Sequence, residues 1–314
     1  MIRALTLAVL LLASSALARD AETSRITEFS SEPGQALGDV TFVGGLKISG
    51  LHSLSSIRFL PDGRRFVAVA DDGQWVDGEI TRDDRGRLSG IINVTVTPMK
   101  NAAGVHAQKS LMDAESMAIV GDRIFVGFEG KHRIDDYPLK GHATTDARPG
   151  PDFLIPASEL RANGGLEALA DNGKGRLVAV AEKSVDKNGN LFAAIISGPG
   201  KGVFKVRKSD EFDVTDAAFL PDGDLLLLER RFSLMTGIGM RIRRIEADAI
   251  RAGAVVDGPV IMQARGSVNR IDNMEGLDII TMPDGSLHLI IVSDDNDNTL
   301  LQETLMLEFA LHGT

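Results

Sequence analysis

The chain has no cysteine among its 314 residues, and it carries one Trp, one Tyr and 13 Phe. That absence removes disulfides, thiolate metal ligands and cysteine nucleophiles together. Stability has to come from packing, from closure of sheets on themselves, or from a bound metal. Cationic runs are also missing and the net charge is −10, which excludes the basic surface that a nucleic-acid partner requires. After the first 18 residues no apolar run is long enough to span a bilayer as a helix. Gly-x-Ser-x-Gly does not occur, so a nucleophile-elbow hydrolase is unsupported. The six His residues show no zinc spacing, although His52 and His132 are candidate general bases. Trp75 and Tyr137 read as packed residues.

The amino terminus reads as a secretory leader over residues 1–18. Arg3 supplies the positive end, Ala4 to Ala13 the apolar segment and Ala16-Leu17-Ala18 a small-residue cleavage site. The expectation is an exported protein, periplasmic or secreted, with a polar arm over residues 19–39 and one domain over 40–314.

What the chain has in abundance is glycine, 33 residues, and much of it falls in a repeated unit. The clearest copy is Asn273 to Asn298, NMEGLDIITMPDGSLHLIIVSDDNDN. It reads as a strand, a Pro283-Asp284-Gly285 turn, a returning apolar strand and an acidic end. In such a hairpin Glu275 and Asp294 become neighbours. Further copies turn at Pro61-Asp62-Gly63, Gly121-Asp122, Asp171-Asn172-Gly173 and Pro221-Asp222-Gly223. Asp-Gly and Asn-Gly tolerate the positive φ of tight hairpins. The second strands, such as FVAVA and LVAVA, are continuously apolar and so suit burial on both faces.

A period of this kind predicts an all-β propeller. Five four-stranded blades are expected, or six if Gly90–Gly104 or Ala247–Gly266 hides a degenerate one. Asp152–Ile155 is read as an outer strand, Ser158–Ala162 and Glu246–Arg251 as short helices. Val40–Ile48 has no local partner and is expected to pair with the last strand, so that both termini close the ring.

In that geometry all unit starts and unit ends collect at one mouth of the axial channel. The starts are read as Glu115, Glu167, Asp216 and Glu275; the ends as Asp71, Asp72, Glu129, Glu182, Glu229, Asp294 and Asp295. So many carboxylates at one mouth call for raised pKa values or a hard cation. Glu115, Glu167 and Glu275 are taken as catalytic candidates, and Asp71, Asp216, Glu275 and Asp294 as ligands for Ca²⁺ or another divalent cation. Lys131, Lys183 and Arg230 follow the unit ends and are candidate holders of a substrate anion. The tract Asp294-Asp295-Asn296-Asp297-Asn298 lacks the EF-hand glycine. It is read as another kind of ligand loop or as a set of turns.

Ser56-Ile57-Arg58-Phe59-Leu60-Pro61-Asp62-Gly63, the Glu-x-Leu units, Met274-Glu275-Gly276-Leu277 and the closing Ser293-Asp294-Asp295-Asn296 together resemble the phytase-like family called esterase-like activity of phytase. The resemblance spans Val43 to Leu311. It implies an exported propeller hydrolysing phosphoric or carboxylic esters. Calcium-dependent propeller phytases bind Ca²⁺ through acids and phosphate through Lys and Arg, but this mouth has fewer basic residues than phytate would favour. The expected substrate is a small ester or phosphate ester, and the expected state a monomer. A lactonase-like Ca²⁺ propeller, with Asn273, Glu275, Asp294 and Asn296 as ligands, and a non-catalytic binding propeller are the rival readings.

Overall fold

The structure, a computed structural model, describes residues 18–313 except Pro33 and Ala162. The leader expected over residues 1–18 therefore lies outside the described residues, apart from Ala18. Among the described residues twenty-two strands build five separate sheets, and the only α-helix is the single turn Lys109–Met112.

Blade one consists of Leu54–Phe59, Arg65–Ala70, Gln74–Arg82 and Leu88–Pro98. Blade two is Ala114–Val120, Arg123–Phe128, Arg133–Pro138 and Arg148–Pro149. Blade three is Leu166–Asp171, Leu177–Val185, Leu191–Ser197 and Gly202–Val206, with Val255–Val256 added in parallel at its edge. Blade four is Asp213–Phe219, Leu225–Ser233, Gly237–Ile245 and Val260–Arg265. Blade five takes Asn273–Thr281, Leu287–Asp294 and Thr304–Leu311 from the end of the chain and Val40–Ser49 from its beginning. The innermost strands touch in the closed circuit one, two, three, four, five, one.

The propeller is thus five-bladed. Gly90–Gly104 supplies blade one's outer strand and the connection beyond it, and Ala247–Gly266 supplies outer strands of blades three and four. The ring closes as the sequence predicts, with Val40 opposite Leu311 and Ile48 opposite Thr304. The segment 19–39 is tied down more firmly than an arm. Glu22–Ile26 pairs with Val40–Ser49 as a fifth strand, and Ile26 and Phe29 enter the core between blades four and five. Val40–Ser49 would otherwise present an open row of backbone groups.

Asp152–Ile155 is not a strand. Pro149, Pro151 and Pro156 withhold ladder donors there, and Leu154 has a φ of 63°. The two expected short helices are single 3₁₀ turns, Ala157–Glu159 and Ala247–Ala249.

Five hydrophobic clusters lie one at each interface between neighbouring blades. The apolar second strands explain this arrangement. Phe66 and Ala68 of blade one face blade five, while the alternate Val67 and Val69 face blade two. A strand between two neighbours is buried on both sides, so its period-2 polarity disappears. Trp75 is fully buried in the interface of blades one and two, edge-on to Tyr137 at 5.0 Å and to His142 at 4.7 Å.

Candidate functional site at the acidic mouth

Each innermost hairpin slips register by one residue at the same point. The extra residue is Ser55, Glu115, Glu167, Thr215 and Glu275 in blades one to five. A bulge bends its strand and re-aims one side chain, so five equivalent positions form a ring. A second ring comes from the partner strands. Asp71, Glu129, Glu182, Arg230 and Asp294 stand opposite Ser53, Asp113, Gly165, Asp213 and Asn273. The two rings hold seven carboxyl groups and one guanidinium.

Blade four corrects the sequence reading. Its ring positions are Thr215 and Arg230, not Asp216 and Glu229. Counting from the turns gives the right frame, because Ser55, Glu115 and Thr215 each stand seven residues before the turn aspartates Asp62, Asp122 and Asp222. Thr215 donates its hydroxyl to the Met274 carbonyl at 3.0 Å. Glu229 points away from the mouth and receives Arg241 at 2.5 Å and Arg243 at 2.5 Å.

Asp216 lies one layer inside the mouth, against Arg58. The Arg58 guanidinium bonds both Asp216 oxygens at 2.8 Å and donates to the carbonyls of Leu277 at 2.8 Å and Leu169 at 2.8 Å. Asp278 sits beside it and accepts the Phe59 amide at 2.6 Å. Arg58 therefore joins blades one, three, four and five and plugs the channel. Asp216 is spent on this plug and is not brought to the other expected metal ligands.

The remaining candidates do gather. Burial and the negative charges of Asp113, Glu275, Glu129 and Asp71 push the Glu115 carboxyl well above its ordinary range. Burial and the charges of Glu115, Glu182 and Glu129 do the same to Glu167. Burial drives Glu275 up to about 7; Arg230 opposes this, and Asp294 and Glu182 reinforce it. Asp294 is driven to about 7 by burial with the charges of Asp71 and Asp295, against the Asn296 amide. Burial also lifts Asp113 to about 6.

The cations are fewer and lie at the edges. Arg230 Nε is 2.9 Å from Glu275 Oε1, and its Nη2 is 3.4 Å from Glu182 Oε1. Lys183 reaches Glu182 at 2.7 Å, and Lys109 reaches Asp71 at 2.5 Å. Lys131 is exposed on the rim of blade two. Glu129 is held from the other side by two backbone donors, Gly164 at 2.5 Å and Gly165 at 2.6 Å. Glycine is required at both positions. Gly164 has φ +87°, and a Cβ on Gly165 would stand 2.1 Å from the His132 ring.

Asp113, Glu115 and Glu129 place one oxygen each within 4.8 Å of one another. This all-oxygen, mutually repelling set suits a hard divalent cation. Asp113 went unnoticed in the sequence because it precedes the unit start. His52, Asp295 and Asp297 form a second, more exposed group within the same distance, 4.8 Å. The Asp294–Asn298 tract is otherwise built of Asx turns, with the Asn296 amide on Asp294 at 2.7 Å and the Asp297 amide on Asp295 at 3.2 Å. His52 bonds Asp295 at 2.6 Å, and His132 bonds the Arg161 carbonyl at 2.7 Å.

No curated protein matches the chain. Among solved structures it is similar to an endo-arabinase from Bacteroides thetaiotaomicron, with 11% identity, TM-score 0.49, and coverage of 89% of this chain and 99% of that one. It is similar to a glucose dehydrogenase, with 13% identity, TM-score 0.44, and coverage of 85% and 98%. A PQQ-bound aldose sugar dehydrogenase from Streptomyces coelicolor has 15% identity and TM-score 0.40, with coverage of 93% and 100%. These likenesses are too distant to bear on the chemistry of this chain. The family model described as phytase-like, esterase-like activity of phytase, matches residues 49–297. With its five radial sheets and its collar of equivalent acids, the chain belongs to that phytase-like family.

Proposed function

We propose that the protein is an exported, divalent-cation-assisted hydrolase of small carboxylic or phosphoric esters, with its site at the acidic mouth. The observation that carries this reading is the double ring. Seven carboxyl groups stand at equivalent blade positions with one guanidinium among them, and two of them, Glu275 and Asp294, are pushed up to about 7.

Asp113, Glu115 and Glu129 would hold the cation, Ca²⁺ by the hardness of the donors, with the charge of Asp71 acting on Asp113 and Glu115. Bound there, it supplies Lewis-acid polarisation of the ester oxygen. The remaining work falls to the side chains. Glu275, poised at about 7, takes the proton of the attacking water as general base. Arg230, already 2.9 Å from Glu275, holds the oxygen on which negative charge develops. Glu167, whose carboxyl is pushed well above the ordinary range by burial and its acidic neighbours, donates a proton to the leaving oxygen. Lys183 and Lys131 draw an anionic substrate toward the rim. The Arg58 plug restricts approach to one face. A cyclic ester is a second candidate substrate, favoured by the Asn273 amide that orients Glu275 at 2.8 Å. Export rests on the leader-like residues 1–18.

The test is turnover of p-nitrophenyl esters, p-nitrophenyl phosphate and a lactone panel, with EDTA and with Ca²⁺ restored. Chelation is expected to abolish turnover and Glu275→Gln to lower kcat by about 10²-fold or more. Turnover indifferent to both removes this mechanism. No hydrolysis of any of these classes, with no bound cation, leaves the propeller as a binding platform.

A further inference from the structure

The described residues expose nine large apolar side chains, and seven of them stand on strand ends and connections on the side of the acidic mouth. Phe232, Leu234 and Met235 form the tip of blade four's second-to-third-strand hairpin, with exposures of 65%, 94% and 95%. Leu300 and Leu301, at 93% and 82%, lie in the corresponding loop of blade five. Val105 and Leu111 sit in the connection that enters blade two. Scattered exposed apolar residues are ordinary, but a group concentrated around one opening is not.

Beneath the blade four and blade five tips lies a cavity of about 460 Å³. Phe232, Ile238 and Leu301 supply its apolar lining, and Arg230, Arg231 and four amide side chains, Asn273 and Asn296 among them, its polar lining. That polar lining reaches the collar, because Arg230 and Asn273 both contact Glu275. The volume falls within the roughly 300–1,000 Å³ of small-molecule sites. A wholly polar substrate would leave the lining and the tips against water. A cation–amide head joined to apolar walls fits one chemistry: a molecule whose anionic or ester group meets Arg230 and whose hydrocarbon part lies along Phe232 and Leu301.

We propose that this cavity is the subsite for an alkyl or acyl substituent, so that the substrates are amphiphilic esters or phosphate esters with a medium-length hydrocarbon chain. The assignment rests on the hydrolase reading for the word substrate, but the binding it asserts does not. Each buried methylene strengthens binding by up to about fourfold, so the subsite is expected to select by chain length.

The experiment compares methyl, butyl and octyl phosphate by calorimetry on the full chain and on Phe232→Ser/Leu301→Ser. Both positions are exposed, and circular dichroism confirms that the variant is folded. Octyl phosphate is expected to bind at least 30-fold more tightly than methyl phosphate, and the variant to lose most of that ratio. Equal affinities for methyl and octyl phosphate overturn the subsite, as does a chain-length preference that the substitutions leave intact. A parallel series of p-nitrophenyl acetate, butyrate and octanoate separates the two proposals. Chain-length-dependent binding without turnover retains the subsite and discards the hydrolase. Turnover without chain-length dependence in binding or in kcat/KM does the reverse. Co-sedimentation with phosphatidylcholine vesicles, or self-association that the same substitutions dissolve, would assign the apolar tips to a membrane or a second copy if chain length has no effect, and overturn the subsite.

Discussion

Arg58 of blade one and Asp216 of blade four grip each other across the axis through two 2.8 Å bonds, with 7% and 0% of their surfaces exposed. Asp216 also accepts the Leu277 amide of blade five at 2.9 Å. The pair costs desolvation on both sides, and its geometry repays that only while both partners are present.

Removing one partner should therefore be worse than removing both. Arg58→Met is expected to destabilise by about 3–5 kcal/mol, because Asp216 is left buried and uncompensated. Arg58→Met/Asp216→Leu should recover a large part of the loss. Denaturant unfolding measures the difference, and a double variant no better than the single one would contradict this account of the plug.

The collar sets a pH dependence of stability with a definite sign. Glu275, Asp294 and Asp113 are held at about 7, 7 and 6, all above their ordinary values. Between pH 4.5 and 7 the folded chain retains protons that the unfolded chain releases, so stability falls as pH rises through this window. In the absence of divalent cations the Tm should be roughly 3–8 °C lower at pH 8 than at pH 5.5. Scanning calorimetry in EDTA reads this directly. A flat or rising profile would show that the collar carboxyls are not strained as described.

A cation that binds only the folded collar should reverse that trend. Ca²⁺ at 100 times its dissociation constant adds about 2.7 kcal/mol, and the gain should be greater at pH 8, where no protons have to leave first. Glu115→Gln/Glu129→Gln should remove the Ca²⁺-dependent rise in Tm. If the variant keeps it, the ion sits elsewhere, with His52, Asp295 and Asp297 as the next group to alter.

Gly165→Ala tests how Glu129 is held. The new methyl meets the His132 ring at 2.1 Å, and the ring or the backbone has to move. Either movement disturbs the two amides on Glu129, so a loss of about 1–3 kcal/mol is expected. Gly165→Ala combined with His132→Ala should restore part of it, as thermal unfolding can show.

The blades were legible because their turns repeat. Pro-Asp-Gly and Asn-Gly at regular spacing, followed by FVAVA, LVAVA or LLLL, specify hairpins buried on both faces. Glu115, Glu167 and Glu275 were legible as companions for the same reason. The acidic pattern alone misleads in blade four, where Asp216 and Glu229 stand one position away from the ring residues Thr215 and Arg230. A bulge adds one residue to a strand, and in blade four the seven-residue count to the turn aspartate, shared with blades one and two, gives the frame that residue type does not. Arg58 carries a readable signal: it occupies the position of Asp278 in the adjacent blade, where the other three blades have Ala118, Ala170 and Ala218. The strand Glu22–Ile26 gave little warning, because an outer edge strand facing water on most of its surface has no apolar alternation to display.

Blade five joins the first and last strands of the ring, with Val40 paired to Leu311. Four sheets can assemble as the polypeptide emerges, but the fifth waits for its final eight residues. Until then residues 40–49 have only Glu22–Ile26 as a partner, and their other edge must stay unpaired. The entropy of that seam grows only with the logarithm of the span, so its burden is kinetic more than energetic. Cutting the ring at the exposed Asp62-Gly63 turn and tethering the natural ends would make this junction local, and such a permutant should mature fastest.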